Sequence, residues 1–207
     1  MAATQTPGKS LAALRHKEKT GEGQQIDVAL VDCQIAGLVN EGTNYLLSRD
    51  VPKRRGNQHP NIVPYQVFDA SDGYLFIAVG NDAQYRKCCV LLKTPELAVD
   101  AQYATNAARL INRTDLAPRI AALVKLQTRD SLISQMEKLG IPCGPVHDLA
   151  EVFASDQVRA RGMKVSIPDL GSKDNAVSLI GNPIKMSKPP SLMTVHPHVV
   201  VPIPKRF

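Results

Sequence analysis

Apolar residues change their spacing several times along this chain of 207 residues, and each change predicts a different element. Leu11 to Lys19 reads as the end of a helix, with Arg15, Lys17 and Lys19 toward its C-terminus and Gly21 as the stop. Ile26, Val28 and Leu30 alternate and predict a short strand. Val31, Ile35, Leu38, Val39 and Leu46 then recur at helical spacing up to Arg49, with Asp32 in the first turn. Tyr65 and Val67, followed by Tyr74 to Val79, predict two strands around a Ser71-Asp72-Gly73 turn. Asn81 or Asp82 is placed to cap a helix from Ala83 to Leu92.

Two further helices are expected between Asn106 and Lys125, with Pro118 near the start of the second or at a kink in it. Thr128 is the expected cap of a helix ending at Gly140, with an apolar stripe of Leu132, Ile133, Met136 and Leu139. Gly140 to Val146 is too rich in Gly and Pro for a helix and predicts a short extended segment. Asp148 opens a short helix to Ala154, and Asp156 another to Arg161. Beyond Gly162 the pattern predicts short strands, with turns at Asp169–Gly171 and Gly181-Asn182. The tail from Val195 has three prolines and no helical period.

Composition narrows the classes. The chain is 43% hydrophobic with no Trp and 4% aromatics, which predicts an aliphatic core. The net charge of +6 is spread along the chain without interleaved aromatics, so nucleic acid is not an expected partner. Cys33, Cys88, Cys89 and Cys143 form no CxxC pair, which argues against zinc and disulfides and for a reducing cytoplasm or organelle matrix, not secretion. No apolar run reaches the ~18 residues of a membrane helix, and MAATQTPGKS has no signal-peptide core.

The most distinctive stretch is the loop Arg54 to Gly73. Gly56 permits unusual backbone angles. Pro60 and Pro64 restrict His59 and Val63 to extended conformations. Asn57, Gln58 and His59 supply amide and imidazole groups between the glycine and the proline. The residues alone leave two readings open: a ligand-binding loop, or a surface loop that satisfies its own backbone. Other motifs weigh less. Thr20-Gly21-Glu22-Gly23-Gln24 lacks the Gly-Lys-Ser/Thr ending of a phosphate loop. Cys143 and His147 stand four apart across a helix-breaking Gly144-Pro145, so no common face follows. His196 and His198 have no acidic or Cys partner nearby, so no metal site is expected.

Four stretches together resemble the class III CoA-transferases, also called the formyl-CoA transferase, carnitine dehydratase or bile-acid-inducible family. They are LAALRHKEKTGEGQQIDVALVD, RRGNQHPNIVPYQVFDASDGYLFIAVGNDAQY, PELAVDAQYATNAARLINRTDL and LGIPCGPVHDLAEVFASDQVRARGM, in family order from Leu11 to about Pro190. The resemblance implies transfer of CoA from an acyl-CoA to a carboxylic acid. It proceeds by covalent catalysis through an aspartate, with anhydride and aspartyl-CoA intermediates. It also implies an interlocked homodimer, with coenzyme A or acyl-CoA as substrate and no covalently bound cofactor.

On the same basis Gly56, Asn57, Gln58 and His59 are expected to form the active-site loop beside the acyl group. Asn81, Asp82 and Gln84 match a second block for which helix capping is a sufficient account of the first two. The implied fold is α+β, the C-terminal portion of the family fold. Residues 1–50 would be a remnant of the large Rossmann-like domain and its linker helix, and 51–147 the small domain with a hairpin and helices. Residues 148–190 would return to the large domain, and 191–207 form a divergent extended tail.

The family's nucleophilic aspartate lies in a half that precedes LAALRHKEKTG, where this chain has MAATQTPGKS with no acidic residue. Ser191 to Phe207 lacks the family's usual closing sequence. Both ends read as those of a truncated or frameshifted gene or a trimmed protein. The expectation is a chain inactive alone, most of its CoA-binding domain missing, that self-associates or needs a polypeptide supplying that domain. The alternative is a non-catalytic folded remnant that binds a partner or an acyl ligand.

Overall fold

The computed structural model describes residues 2–168 and 176–187. It divides into two units, residues 1–145 and 146–207. The first opens with helices α1 (Ala2–Thr20), α2 (Leu30–Ala36) and α3 (Val39–Ser48). Gly21, at φ 79°, ends α1 in the left-handed conformation that glycine adopts without steric cost. The expected strand at Ile26–Leu30 does not form: residues 22–29 are irregular and Leu30 starts α2. Alternation alone does not make a strand, because the backbone needs a neighbouring strand to bond. The single helix expected from Val31 to Arg49 is also corrected to two. The chain breaks at Gly37-Leu38, after which helical spacing resumes.

The sheet holds the core of this unit. Strands β1 (Tyr65–Asp69) and β2 (Tyr74–Ala78) form the predicted antiparallel hairpin, with Tyr65 opposite Ala78 and Asp69 opposite Tyr74. Their alternation puts Phe68, Leu75 and Ile77 into the core. Helices α4 (Asp82–Leu91), α5 (Glu96–Val99), α6 (Asn106–Ile111), α7 (Arg113–Val124) and α8 (Arg129–Lys138) follow, and β3 (Cys143–Val146) completes a sheet of order β1-β2-β3. Leu116, Ile120, Leu132 and Met136 are fully buried against the strands. Burial of each such side chain contributes roughly 1.5–3 kcal/mol. The core is not purely aliphatic as expected: Tyr85 and Tyr103 are fully buried within it, and so is Arg109.

The hairpin turn is stitched to the helices by polar contacts. The Ser71 N–H donates to the Gln127 carbonyl at 2.9 Å, and Lys125 Nζ donates to the Ala70 carbonyl at 3.0 Å. Thr128 occupies the N-cap position of α8, but its side chain makes no capping bond. The cap comes from the turn: Asp72 Oδ1 accepts the Arg129 N–H at 2.7 Å. A short-range sequence pattern cannot show a cap delivered from 57 residues away.

The second unit contains α9 (Leu149–Ala154), α10 (Asp156–Ala160) and an antiparallel pair, β4 (Lys164–Pro168) and β5 (Ala176–Ile180). Asp148 and Glu151 cap α9 reciprocally, and the Ser155 side chain caps α10. Gly181 follows β5 and donates its N–H to the Met163 carbonyl. The turn expected at Asp169–Gly171, and the tail with His196 and His198, lie outside the described residues.

Candidate functional site

The loop between α3 and β1 is fixed chiefly by its backbone. Gly56 stands at φ 66°, a left-handed conformation that lets the chain reverse after Arg55. Asn57 then points back at the hairpin, its Oδ1 accepting the Val67 N–H at 3.0 Å. The His59 N–H donates to the Tyr65 carbonyl at 2.9 Å, and its Nδ1 accepts the Asn61 N–H at 3.1 Å. An accepting Nδ1 leaves the proton of the neutral ring on Nε2. The ring lies 4.8 Å from that of Tyr65, which meets Phe76 edge-on at 5.1 Å. Among the described residues Gln58 makes one long backbone contact, its N–H to the Arg55 carbonyl at 3.4 Å.

A second set of residues, missed by the sequence reading, holds the far side of this loop. Asn106 Nδ2 donates to the Asn61 carbonyl at 2.8 Å, and its Oδ1 accepts the Val63 N–H at 3.2 Å. Arg109 Nε donates to the Val63 carbonyl at 2.6 Å. Arg113 Nη2 donates to the Pro60 carbonyl at 2.9 Å. The Pro64 carbonyl accepts from the Val79 N–H, and the Val63-Pro64 peptide is cis. On the other flank, Asn44 of α3 and Asn61 exchange amide bonds of 3.0 and 3.1 Å. The signal was present in the sequence. Asn106 and Arg109 are spaced i, i+3 on α6 and share its face, and Arg113 opens α7 just after the break at Asn112.

Arg109 also ties the loop to the second motif. Its Nη1 donates to the Tyr103 carbonyl at 2.9 Å, its Nη2 to Asp82 Oδ1 at 2.8 Å, and its guanidinium lies over the Tyr85 ring at 4.2 Å. Asp82 therefore meets the loop through one shared arginine. Asn81 caps α4 by accepting the Gln84 N–H at 2.9 Å. Gln84 accepts the Gly80 N–H and donates to the Gly140 carbonyl. All three side chains of this motif have structural partners.

Two open cavities flank the loop. One of about 580 Å³ lies between α3 and the loop, where Arg55 pairs with Glu41 at 3.3 Å and Asp50 and Lys53 line the wall. The other, about 340 Å³, lies between the loop, β1 and α7. Its polar wall is Gln58, Gln66, Arg113 and Thr114, and its apolar wall Ala117, Pro118 and Ala121.

The remaining candidates have ordinary explanations. Cys143 Sγ contacts the Ile133 carbonyl at 3.8 Å, and burial pushes its thiol pKa up, away from a nucleophile. His147 pairs with Glu151 at 3.4 Å. Among the described residues no group of His, Cys, Asp and Glu is arranged to hold a metal, and no helix is long and apolar enough to cross a membrane.

The profile of CoA-transferase family III matches residues 1–199. The chain belongs to CoA-transferase family III. Among family III relatives, the chain is 42% identical over 180 residues to the succinate–glutarate CoA-transferase of Agrobacterium fabrum, covering 86% of this chain and 44% of that protein. It is 35% identical to the mouse succinyl-CoA:glutarate CoA-transferase, over 91% of this chain and 44% of the relative. The chain thus spans less than half the length of these relatives. Its fold matches a CAIB/BAIF family protein from Brucella suis with a TM-score of 0.65 and 45% identity, over 86% of this chain and 45% of that one. Rv3272 from Mycobacterium tuberculosis shares the fold at a TM-score of 0.69 and 20% identity.

Proposed function

We propose that this chain builds part of a site that moves CoA from an acyl-CoA to a carboxylic acid, with Gly56 to His59 beside the acyl group. In that reaction the thioester C–S bond of the donor and one carboxyl C–O bond of the acceptor break. The sulfur of CoA bonds to the acceptor's carbonyl carbon, and the donor acyl carbon gains an oxygen and leaves as the free carboxylate. The observation that supports this best is the double hold on the loop. Asn57 and His59 bind it to the hairpin, while Asn106, Arg109 and Arg113 bind it to the helices. Such fixation suits hydrogen-bond donors that must meet a developing oxyanion without reorganising. The names of the relatives point to short dicarboxylic acids as donor and acceptor, succinate and glutarate among them.

The 207-residue chain by itself is proposed to transfer no CoA. None of the carboxylates near the loop is aimed at Gly56 to His59 by a contact: Glu41 pairs with Arg55, and Asp50 lines the cavity wall beside α3. Asp72 caps α8, Asp69 ends β1 facing Lys125 at 4.0 Å, and Asp50 sits past the end of α3, where its N–H meets Ser48 Oγ. Transfer needs a nucleophile held within about 3–3.5 Å of the reacting carbon. The test incubates the purified chain with succinyl-CoA and glutarate, then with hydroxylamine. Neither glutaryl-CoA nor a trapped adduct is expected; an adduct on Asp50, Asp69 or Asp72 would overturn the reading.

A second reading is favoured by one feature. Leu30, Val31, Ile35, Val39, Leu46 and Leu47 are exposed on α2 and α3, Leu47 by 81%. Apolar surface of that extent usually meets a partner. We propose self-association through this face, which a non-catalytic remnant would share with an assembled enzyme.

A further inference from the structure

The cavity between the loop and α7 holds an arginine whose positive charge has no counter-ion. Arg113 uses one Nη2–H for the Pro60 carbonyl. Among the described residues no carboxylate lies within ion-pair distance of it. The other charged side chains nearby are accounted for: Arg55 is paired with Glu41, and Asp115 with Arg119 and the Tyr103 hydroxyl. Every other polar side chain of the cavity is neutral: Gln58 from the loop, Gln66 from β1 and Thr114 from α7. Burial, and then the positive charge of Arg55, push the Arg113 guanidinium below its ordinary value. Both influences disfavour an isolated cation on this half-buried side chain, and the charge of a bound anion would offset them.

We propose that Arg113 is a specificity-determining residue, which binds the non-reacting carboxylate of a short dicarboxylic acid whose other carboxylate lies at the loop. The inference rests on the CoA-transfer reading for the role of the loop, though not for the binding itself. A guanidinium suits this task because its planar fork meets a carboxylate with two parallel N–H donors, and Arg113 keeps donors beyond the one used on Pro60. Ala117, Pro118 and Ala121 give the methylene chain an apolar wall. Gln58 belongs to both the cavity and the loop, so a ligand in the cavity adjoins the reacting end of the site. A monocarboxylate of equal length would leave Arg113 unpaired, which is how the cavity would discriminate.

The experiment is a side-chain NMR titration of the full chain, reading the Arg113 Nε–H resonance, assigned with Arg113→Lys. Glutarate is compared with pentanoate, which has the same number of carbons and one carboxylate fewer. Glutarate should move the Arg113 resonance saturably, and pentanoate should leave it in place. Arg113→Gln should weaken glutarate binding by about tenfold or more. Should that variant fail to fold after losing its Pro60 contact, Gln66→Glu serves instead. It leaves Arg113 in place and supplies an internal counter-ion, and should weaken glutarate to a similar degree. An equal response to both acids, no response to either, or glutarate binding unchanged in the folded variants would overturn the proposal. Because the readout is binding without CoA, a failure of transfer and a failure of this subsite are separable results.

Discussion

Replacing Arg109 with methionine should be among the most damaging single changes in the first unit. The side chain is 0% exposed and serves three oxygens and one ring. Methionine fills much of the volume, so the cost is chiefly unmet polarity. The Val63 and Tyr103 carbonyls belong to residues that are 2% and 1% exposed and would lose these donors. Each unsatisfied buried group costs about 1–3 kcal/mol. The cation–π contact with Tyr85 adds about 1 kcal/mol. Asp82 adds little, because its side chain is 41% exposed and recovers water. The expected loss is therefore about 3–7 kcal/mol, its lower half matching the range for breaking a buried ion pair from one side. At a urea m-value of about 2 kcal/mol/M this lowers the midpoint by about 1.5–3.5 M. The chain has no Trp, and its five tyrosines all lie in the first unit, so the tyrosine band of the near-UV circular dichroism reports that unit alone. Asp82→Asn is the control and should cost no more than about 1 kcal/mol. An Arg109→Met midpoint within about 0.5 M of the parent would refute the view that this arginine satisfies the loop backbone.

Other outcomes follow from the same contacts. Asp72→Ala removes the cap of α8 and should cost about 1 kcal/mol in urea unfolding, with Asp72→Asn milder. Burial raises the Cys88 thiol from 9.0 to about 12 and also pushes Tyr85 up. Both raised values favour the neutral form in the native state, so their contribution is complete below pH 9.0 and falls as pH rises from there toward 12. Urea midpoints measured at stepped alkaline pH should decline in that window and stay level through neutrality. Sedimentation at micromolar protein should show self-association that Leu47→Asp weakens; a clean parent monomer would count against the α2–α3 face as an interface.

Much of the middle of the chain was legible. The hairpin combines period-two alternation with a Ser-Asp-Gly turn, and Asn81 stands at the right distance to cap α4. Both signals are local, so a sequence pattern carries them. The two corrected elements fail for physical reasons. Ile26 to Leu30 has the alternation of a strand without, among the described residues, a strand beside it. The α2–α3 break at Gly37-Leu38 barely disturbs the helical period, so five apolar positions read as one helix. The four-residue α5 offers too few residues for any period to register. Around the candidate site, Gly56 to His59 stood out through composition. The residues that anchor them did not, because the partners of Asn106, Arg109 and Arg113 are backbone groups far away in sequence. Their contacts become meaningful only once the loop they grip, 43 to 53 residues away in sequence, is placed against α6 and the start of α7.

The most direct test of the central claim is a complementation assay. The chain is mixed with the part of the Agrobacterium fabrum relative that this chain does not cover, and succinyl-CoA and glutarate are supplied. Formation of glutaryl-CoA is followed by mass spectrometry. The account predicts no product from either polypeptide alone, product from the mixture, and a strong loss when the mixture carries His59→Ala in this chain. Product from this chain alone would contradict the account, as would an assembled mixture whose activity is indifferent to changes at Asn57, Gln58 and His59.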